Sequence, residues 1–201
     1  MKHRLSSILI TAGLLLGIGA LGLTGYNLWD DSRADRAMLS ALVQVKEVIA
    51  EGSPDLEQTP DDNLYPDMNM PTTKANGYRY IGVLTIPALN LELPIMEEWD
   101  YKRLKIAPCR YAGSAYQNNL VICAHNYSSH FGTLKNLQNG DEVFFTDVDG
   151  NVFHYAVAQL ETLVPAAIEE MKSEDWALTL FTCTRDGRTR VTVRCEADES
   201  L

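Results

Sequence analysis

The sequence predicts an all-β domain folded as a closed β-barrel of about seven or eight strands with short helices, preceded by an N-terminal transmembrane helix. Short β-prone runs recur along the C-terminal two thirds of the chain with turn residues between them, which is typical of small barrels. A long uncharged run stands at the N-terminus. The length of 201 residues suits one domain with an anchor and a connector, and is too short for two full domains.

The N-terminal run, residues 6–28, holds no charged side chain and as a helix would cross about 30 Å of hydrocarbon. Lys2 and Arg4 precede it, whereas Asp30 and Asp31 follow it. The positive-inside rule therefore predicts that residues 1–5 are cytoplasmic and that the rest of the chain lies outside the cell membrane. A cleaved signal peptide is the alternative, but the run is longer than the apolar part of such peptides, which spans roughly 7 to 15 residues.

The connector is predicted to occupy residues 29–77. A helix capped by Asp30, Asp31 or Ser32 is expected to run to about Ala50. Its apolar residues recur every three or four positions and form one stripe, which either packs on the following domain or merely extends the anchor. The stripe consists of Ala34, Met38, Leu42, Val45 and Ile49. Residues 52–77 are rich in Pro, Asp, Asn and Thr, as in a flexible linker, so the folded domain is expected at 78–201.

Within that domain the strands are predicted from apolar and β-branched runs bounded by turn signals. Asp149-Gly150 is one such hairpin signal. Helical segments are expected to be short. The predicted strands are 80–86, 89–95, 120–124, 142–146, 152–163, 178–182 and 189–195, and the predicted helical segments are 101–106, 131–137 and 166–171.

The last predicted hairpin brings a thiol and a guanidinium together. If Asp186-Gly187 forms a two-residue turn, Cys183 lies opposite Arg190, on the same sheet face. A neighbouring cation favours the thiolate, which is the nucleophilic form of cysteine. The like charges of Arg185 and Arg188 would then also be opposed, so a looser connection is an open alternative. Without the arginine, a strand cysteine would be interpreted as a small core residue.

A thiol nucleophile needs a proton acceptor and donor, and histidine is the side chain suited to both roles near neutral pH. His3 is cytoplasmic in the predicted topology, and His154 is expected to face solvent from the middle of a strand. His130 lies in a loop before a short helix, where a capping or surface role is expected. His125 ends an apolar strand, where a barrel mouth can present it, so it is the candidate.

Net charge and residue spacing argue against two kinds of ligand, nucleic acids and metal ions. The net charge of -10 argues against a nucleic-acid partner. The Cys and His spacings match no zinc pattern, and no metal or other cofactor is expected.

Four cysteines could form two disulfides, but if Cys183 is catalytic an odd number remains. Cys123 and Cys195 lie in strand-like runs, so no structural disulfide is expected.

Three segments resemble the signatures of the sortase family. Residues 179–183, Thr-Leu-Phe-Thr-Cys, match the TLxTC motif of that family. Ala124-His125-Asn126 resembles its histidine segment, and Arg190 matches the arginine of its following strand. The stretches 80–87 and 118–122 are also similar, so that the resemblance spans about residues 78–196. Ala124 stands where many members have Gly, and the interval from Cys183 to Arg190 is short, which leaves the subclass open, with a class B-like or D-like enzyme among the alternatives.

The resemblance implies a cysteine transpeptidase that acts on LPxTG-type sorting signals. Cys183 would attack the threonine carbonyl, and His125 would protonate the departing amine and deprotonate the incoming one. Arg190 would stabilise the oxyanion or bind peptide carbonyls. Thr182 and Asn126 are the expected substrate-binding residues.

The resemblance leaves the amine acceptor between a lipid-linked peptidoglycan precursor and a pilin lysine. Pilin-building relatives often carry an Asp-Pro-aromatic lid motif and a second membrane segment. Tyr65-Pro66-Asp67 has another order, and the chain stops soon after Cys195, so cell-wall anchoring is favoured. Two alternatives stay open: an extracytoplasmic cysteine protease with water as acceptor, and a non-catalytic, membrane-tethered, peptide-binding barrel.

Overall fold

The computed structural model describes residues 2–52, 70–184 and 186–198. The chain divides into two compact units, residues 1–33 and 34–201. Most of the predicted linker, including Tyr65-Pro66-Asp67, lies outside the described residues. Helix α1 is Lys2–Gly52. Among the described residues, its segment Ile10–Glu51 contains an apolar stretch long enough to cross a membrane, none of it buried in protein. This helix suggests a membrane anchor.

The part of α1 after Arg33 packs on the second unit. The predicted stripe is buried, with Ala34 and Val45 fully inaccessible. Val45 and Leu42 belong to one apolar cluster with Tyr80 and Val83 of the barrel. The first of the two interpretations of the stripe, packing on the domain, is therefore the one that the structure supports.

The described residues form nine strands and one further short helix, α2 (Ile168–Met171). The strands are β1 (Thr73–Ala75), β2 (Tyr78–Ile86), β3 (Leu91–Met96), β4 (Cys109–Ala112), β5 (Leu120–Ala124), β6 (Glu142–Asp147), β7 (Val152–Leu163), β8 (Leu178–Cys183) and β9 (Arg190–Ala197). Single 3-10 turns occur at Pro87–Leu89, Arg103–Lys105, Ala115–Gln117 and Leu134–Asn136. Each predicted strand and helical segment overlaps an observed one, whereas β1 and β4 were not predicted.

Eight of the strands close a barrel. The hydrogen-bonded order is β1-β2-β3-β4-β5-β8-β9-β7-β6, and β2 also pairs with β6. Gly82 lies at this closing seam, where a Cβ atom would stand 2.1 Å from the carbonyl oxygen of Thr146. Only glycine permits the two backbones to approach so closely. The prediction of a closed barrel of seven or eight strands is confirmed.

Alternation along the strands gives the barrel two apolar faces. Leu180 of β8 and Ile122 of β5 belong to the inner cluster, with Phe145 and Val193. Phe181 and Cys123 belong to a second cluster on the outer face of the same strands. The odd-numbered residues of β8, including Cys183, therefore face outward.

The folded domain begins earlier than the sequence analysis placed it. Met70 is 4% exposed within the inner cluster, and β1 pairs with β2 through Thr73 and Tyr80. Residues 70–77 are thus part of the packed structure and not of a flexible linker. Their local sequence is polar and contains Pro71, so only the tertiary contact reveals the strand.

Candidate active site

The β8–β9 hairpin places Cys183 directly opposite Arg190. The connection is the looser of the two alternatives. Thr184 N–H donates to the carbonyl of Thr189 at 2.9 Å, and Gly187 N–H donates to the carbonyl of Thr184 at 2.8 Å. A four-residue loop and a two-residue loop are both centred between residues 186 and 187, so both give the same register of β8 with β9. The predicted pairing of thiol and guanidinium is therefore observed, with the looser of the two connections.

The parallel pairing of β5 with β8 brings the histidine to the same end of the sheet. Ala124 is the register partner of Thr182. His125 directly follows Ala124 and Cys183 directly follows Thr182, at the ends of two neighbouring strands whose backbones lie about 4.8 Å apart. The hydroxyl of Thr182 donates to the carbonyl oxygen of Ala124 at 2.8 Å and fixes this register.

Cys183 differs from the other three cysteines in its accessibility. All four carry free thiols, but Cys183 is partly exposed whereas the others are buried. Burial raises the pKa of Cys123 and of Cys195 to about 12, and it raises the pKa of Cys109 further. These three thiols stay protonated at neutral pH, so Cys183 is the cysteine available for nucleophilic chemistry.

The guanidinium of Arg190 is held by its own hairpin. Its Nη1 donates to the carbonyls of Gly187 at 3.3 Å and Thr189 at 3.1 Å. Its positive charge works against the burial that raises the pKa of Tyr111. Among the described carboxylates none forms a salt bridge with Arg190. The cation can therefore serve an anion or carbonyl of a bound molecule.

A cleft of about 410 Å³ opens beside Cys183. Its polar lining includes Asn126, Thr133, Lys135 and Thr184. Thr182 also borders the cleft but is 3% exposed, and its hydroxyl is already bonded to Ala124. Asn126 lines the same cleft and can offer its side-chain amide to a ligand.

The two other histidines of the barrel domain, His130 and His154, differ in position from His125. His130 was expected at the surface or as a cap. The surface role is wrong, because the residue is fully buried, and the N-cap of the following 3-10 turn is Thr133. Its ring packs against Tyr127 with 5.3 Å between centroids. His154 is partly buried and packs edge-on against Phe144. Only His125 stands next to Cys183 in the strand register.

One buried cation of β9 escaped the sequence analysis. Arg194 is 2% exposed. Its Nε donates to Glu161 at 2.7 Å and its Nη1 donates to Thr179 Oγ1 at 3.0 Å. Further bonds reach the carbonyls of Glu170 and Met171. Arg194 thus joins three strands to α2. Its only sequence signal is that it lies two and four residues after Thr192 and Arg190, on the outward face.

Comparison with known proteins places these residues in one family. The family model of the Sortase domain matches residues 84–198. Sortase A of Bacillus anthracis is 26% identical over 111 residues, and the match covers 51% of this chain and 51% of that protein. The chain thus aligns with about half the length of this curated relative.

Solved structures share the fold. Sortase C from Clostridium perfringens SM101 has a TM-score of 0.51 and 24% identity, covering 79% of this chain and 90% of that one. A sortase D5 transpeptidase of Clostridium perfringens has a TM-score of 0.56 and 18% identity, covering 76% and 97%. At these identities the likeness concerns the fold alone.

Proposed function

Since the chain belongs to the sortase family, we propose that it is a membrane-anchored cysteine transpeptidase that cleaves an LPxTG-type sorting signal between Thr and Gly and transfers it to an amine. One observation carries the proposal. The strand register sets Cys183 opposite Arg190 and one residue beyond the Ala124–Thr182 pair, so thiol, guanidinium and His125 share one end of the barrel. The two alternatives, a cysteine protease and a peptide-binding barrel, account for this arrangement of the three groups no better than the transpeptidase does.

In the first half-reaction the Cys183 thiolate attacks the threonine carbonyl. The resulting oxyanion is stabilised by Arg190, whose charge persists at every pH of interest. Collapse of this intermediate breaks the Thr–Gly bond, and His125 gives a proton to the departing glycine amine. A thioester between Cys183 and the threonine remains.

In the second half-reaction an amine attacks that thioester, and His125 takes the proton that the amine loses. Collapse releases the Cys183 thiolate and forms a new amide bond. The partly exposed sulfur and the adjoining cleft provide room for both substrates. Within the cleft, Thr182 and the Asn126 side chain are the proposed substrate contacts. No cofactor or metal is required by these steps.

We assign the anchor to the apolar part of α1, with the N-terminus in the cytoplasm and the barrel outside the cell. Lys2 and Arg4 before the apolar run support this orientation. The proposed partners are secreted proteins that carry a sorting signal and, as acceptor, a lipid-linked peptidoglycan precursor in preference to a pilin lysine.

The deciding experiment is mass spectrometry of the enzyme incubated with LPxTG peptides, with and without an excess amine. We expect an acyl adduct on Cys183 of the mass of the peptide up to threonine, and a ligated product when the amine is present. Cys183→Ala should form neither, whereas Cys195→Ser should form both. Hydrolysis alone, even with excess amine, would identify a protease. A Cys183 that neither acylates nor reacts with a vinyl sulfone would identify a binding module.

A further inference from the structure

The loop after β5 encloses a tyrosine between two histidines. The rings of His125 and Tyr127 lie 5.0 Å apart between centroids at an angle of 45°. The rings of Tyr127 and His130 lie 5.3 Å apart at 69°. His130 is fully buried, so the second contact fixes Tyr127 from the protein side, and Tyr127 in turn borders the imidazole of His125.

Backbone hydrogen bonds within this loop fix its conformation. The carbonyl of Tyr127 accepts hydrogen bonds from His130 N–H at 3.1 Å and Gly132 N–H at 2.9 Å. Phe131 N–H donates to the carbonyl of His125 at 3.3 Å, and its side chain is fully buried in the inner cluster. The position of Tyr127 is therefore determined by the barrel core.

Gly132 shows how tightly the loop is packed. A Cβ atom at this position would lie 2.6 Å from the carbonyl oxygen of Tyr127 and 3.1 Å from Oδ1 of Asn126. Any side chain here would displace the segment that carries the Tyr127 ring. The absence of a side chain at residue 132 is thus a condition for the ring contact with His125.

His125 needs such support because it lies outside the strand. The last ladder pair is Ala124 with Thr182, so the sheet fixes the backbone before His125 but not the rotamer of its imidazole. An aromatic ring on one side restricts that rotamer. The restriction matters most when His125 delivers a proton to the leaving amine.

We propose that Tyr127 is a positioning residue that holds the His125 imidazole toward Cys183 for proton transfer to the leaving amine. This inference rests on the proposed transpeptidase function. The ring, and not the hydroxyl, performs the role. Tyr127→Phe should therefore behave as the unaltered enzyme does, and Tyr127→Leu should not. Tyr101→Leu is the matched control, because Tyr101 is 76% exposed.

The test compares an LPxTG peptide with its ester analogue, in which the Thr–Gly amide is replaced by an ester with a better leaving group. Tyr127→Leu is expected to lower kcat for the amide about 100-fold with little change in KM, because misplacing a catalytic group by about 1 Å has this effect. For the ester the loss should stay below about tenfold, since an alkoxide leaving group depends less on a general acid. Equal losses for both substrates, or an amide rate within about twofold of wild type, would overturn the proposal.

Imidazole NMR of the full chain keeps the two proposals separable. If the unaltered enzyme forms no acyl adduct with any sorting peptide, the proposed function fails, but the ring contact can still be examined. The His125 ring signal, identified by its loss in His125→Gln, should be single in the unaltered protein and in Tyr127→Phe, and shifted and broadened in Tyr127→Leu. An unchanged signal in Tyr127→Leu would refute the positioning role.

Discussion

The side-chain hydroxyl of Thr182 donates a hydrogen bond of 2.8 Å to the carbonyl oxygen of Ala124. The two residues directly precede Cys183 and His125, and they are 58 residues apart in sequence. This single bond therefore joins the strand that carries the nucleophile to the strand that carries the proton-transfer group, at the last position where the ladder still holds both.

Replacing Thr182 by Val removes this bond and keeps the side-chain volume. We expect the free energy of unfolding to fall by about 1 kcal/mol. We also expect kcat/KM for a sorting peptide to fall roughly tenfold or more, because the relative position of Cys183 and His125 is no longer fixed by this bond. Urea denaturation and peptide turnover measure the two effects.

Thr192→Val is the control for this change. Thr192 is equally buried, but its hydroxyl has no hydrogen-bond partner among the described residues. Replacing a buried, unsatisfied hydroxyl by a methyl group should be neutral or stabilising. If Thr182→Val were as neutral as Thr192→Val, the hydrogen bond between Thr182 and Ala124 would have no role in stability or turnover.

The positive charge of Arg190 is expected to be necessary for turnover, and the paired N–H donors of its guanidinium are expected to increase the rate further. Arg190→Ala should lower kcat/KM by roughly 10²- to 10³-fold, the usual loss when an oxyanion donor is removed. Arg190→Lys should recover part of that loss, because it restores the charge without the paired donors.

Arg188→Ala supplies the comparison for Arg190. It removes a cation from the same hairpin connection, where the Arg188 side chain is 85% exposed, and should leave turnover unchanged. Acyl-enzyme formation measured by quenched mass spectrometry tests the series. Equal losses at residues 188 and 190 would indicate a general effect of charge, not a specific stabiliser.

The sequence indicates all three residues of the candidate site, but local patterns predict the contact between only two of them. The opposition of Cys183 and Arg190 follows from hairpin symmetry around residues 186 and 187, so either loop length gives it. The pairing of β5 with β8 joins distant segments in parallel, and no turn signal announces such a contact. His125 was the candidate partner of Cys183 by elimination among the histidines and by the family resemblance, whereas no periodicity indicated that their two strands pair.

Elements with weak local patterns were missed for a related reason. Strand β4 has four residues, a register irregularity between Arg110 and Ala112, and one bridge to β3. Loop residues carry no periodicity, so the burial of His130 could not be read from its neighbours. In both cases tertiary packing decides the structure.

Buried thiols should make the protein sensitive to alkaline pH. Burial raises the pKa of Cys195 from 9.0 to about 12. The folded state then holds a proton that the unfolded state loses above pH 9, so this stabilisation is complete below pH 9 and disappears as the pH rises toward 12. Stability should therefore fall across this range.

Cys195→Ala tests the contribution of that one thiol. Its free energy of unfolding should decline less steeply than that of the unaltered protein, by up to about 1 kcal/mol per pH unit between pH 9 and 12. Urea denaturation at several alkaline pH values gives the two slopes. Parallel slopes would mean that Cys195 titrates alike in both states.

Arg194 is expected to be a major stabilising residue of the outer face. Arg194→Met would leave Glu161 without its ion pair and Thr179 without its donor, which should lower the free energy of unfolding by roughly 3 kcal/mol. Arg79→Met removes an ion pair with Glu97 whose arginine side chain is 54% exposed, so it should cost less than about 1 kcal/mol. Thermal denaturation of both variants would show whether burial makes this difference.

The segment of α1 after Arg33 is expected to stabilise the barrel as well as connect it to the anchor. Val45 is fully buried against the outer cluster, whereas Val43 is 57% exposed on the same helix. Val45→Asp places an unpaired carboxylate in an apolar contact and should destabilise the domain by more than roughly 3 kcal/mol, whereas Val43→Asp should change stability by less than about 0.5 kcal/mol. Denaturation of the full chain in detergent, followed by the tryptophan signal, compares the two. Equal stability of both variants would mean that the helix does not pack on the barrel in solution and serves only as an extension of the anchor.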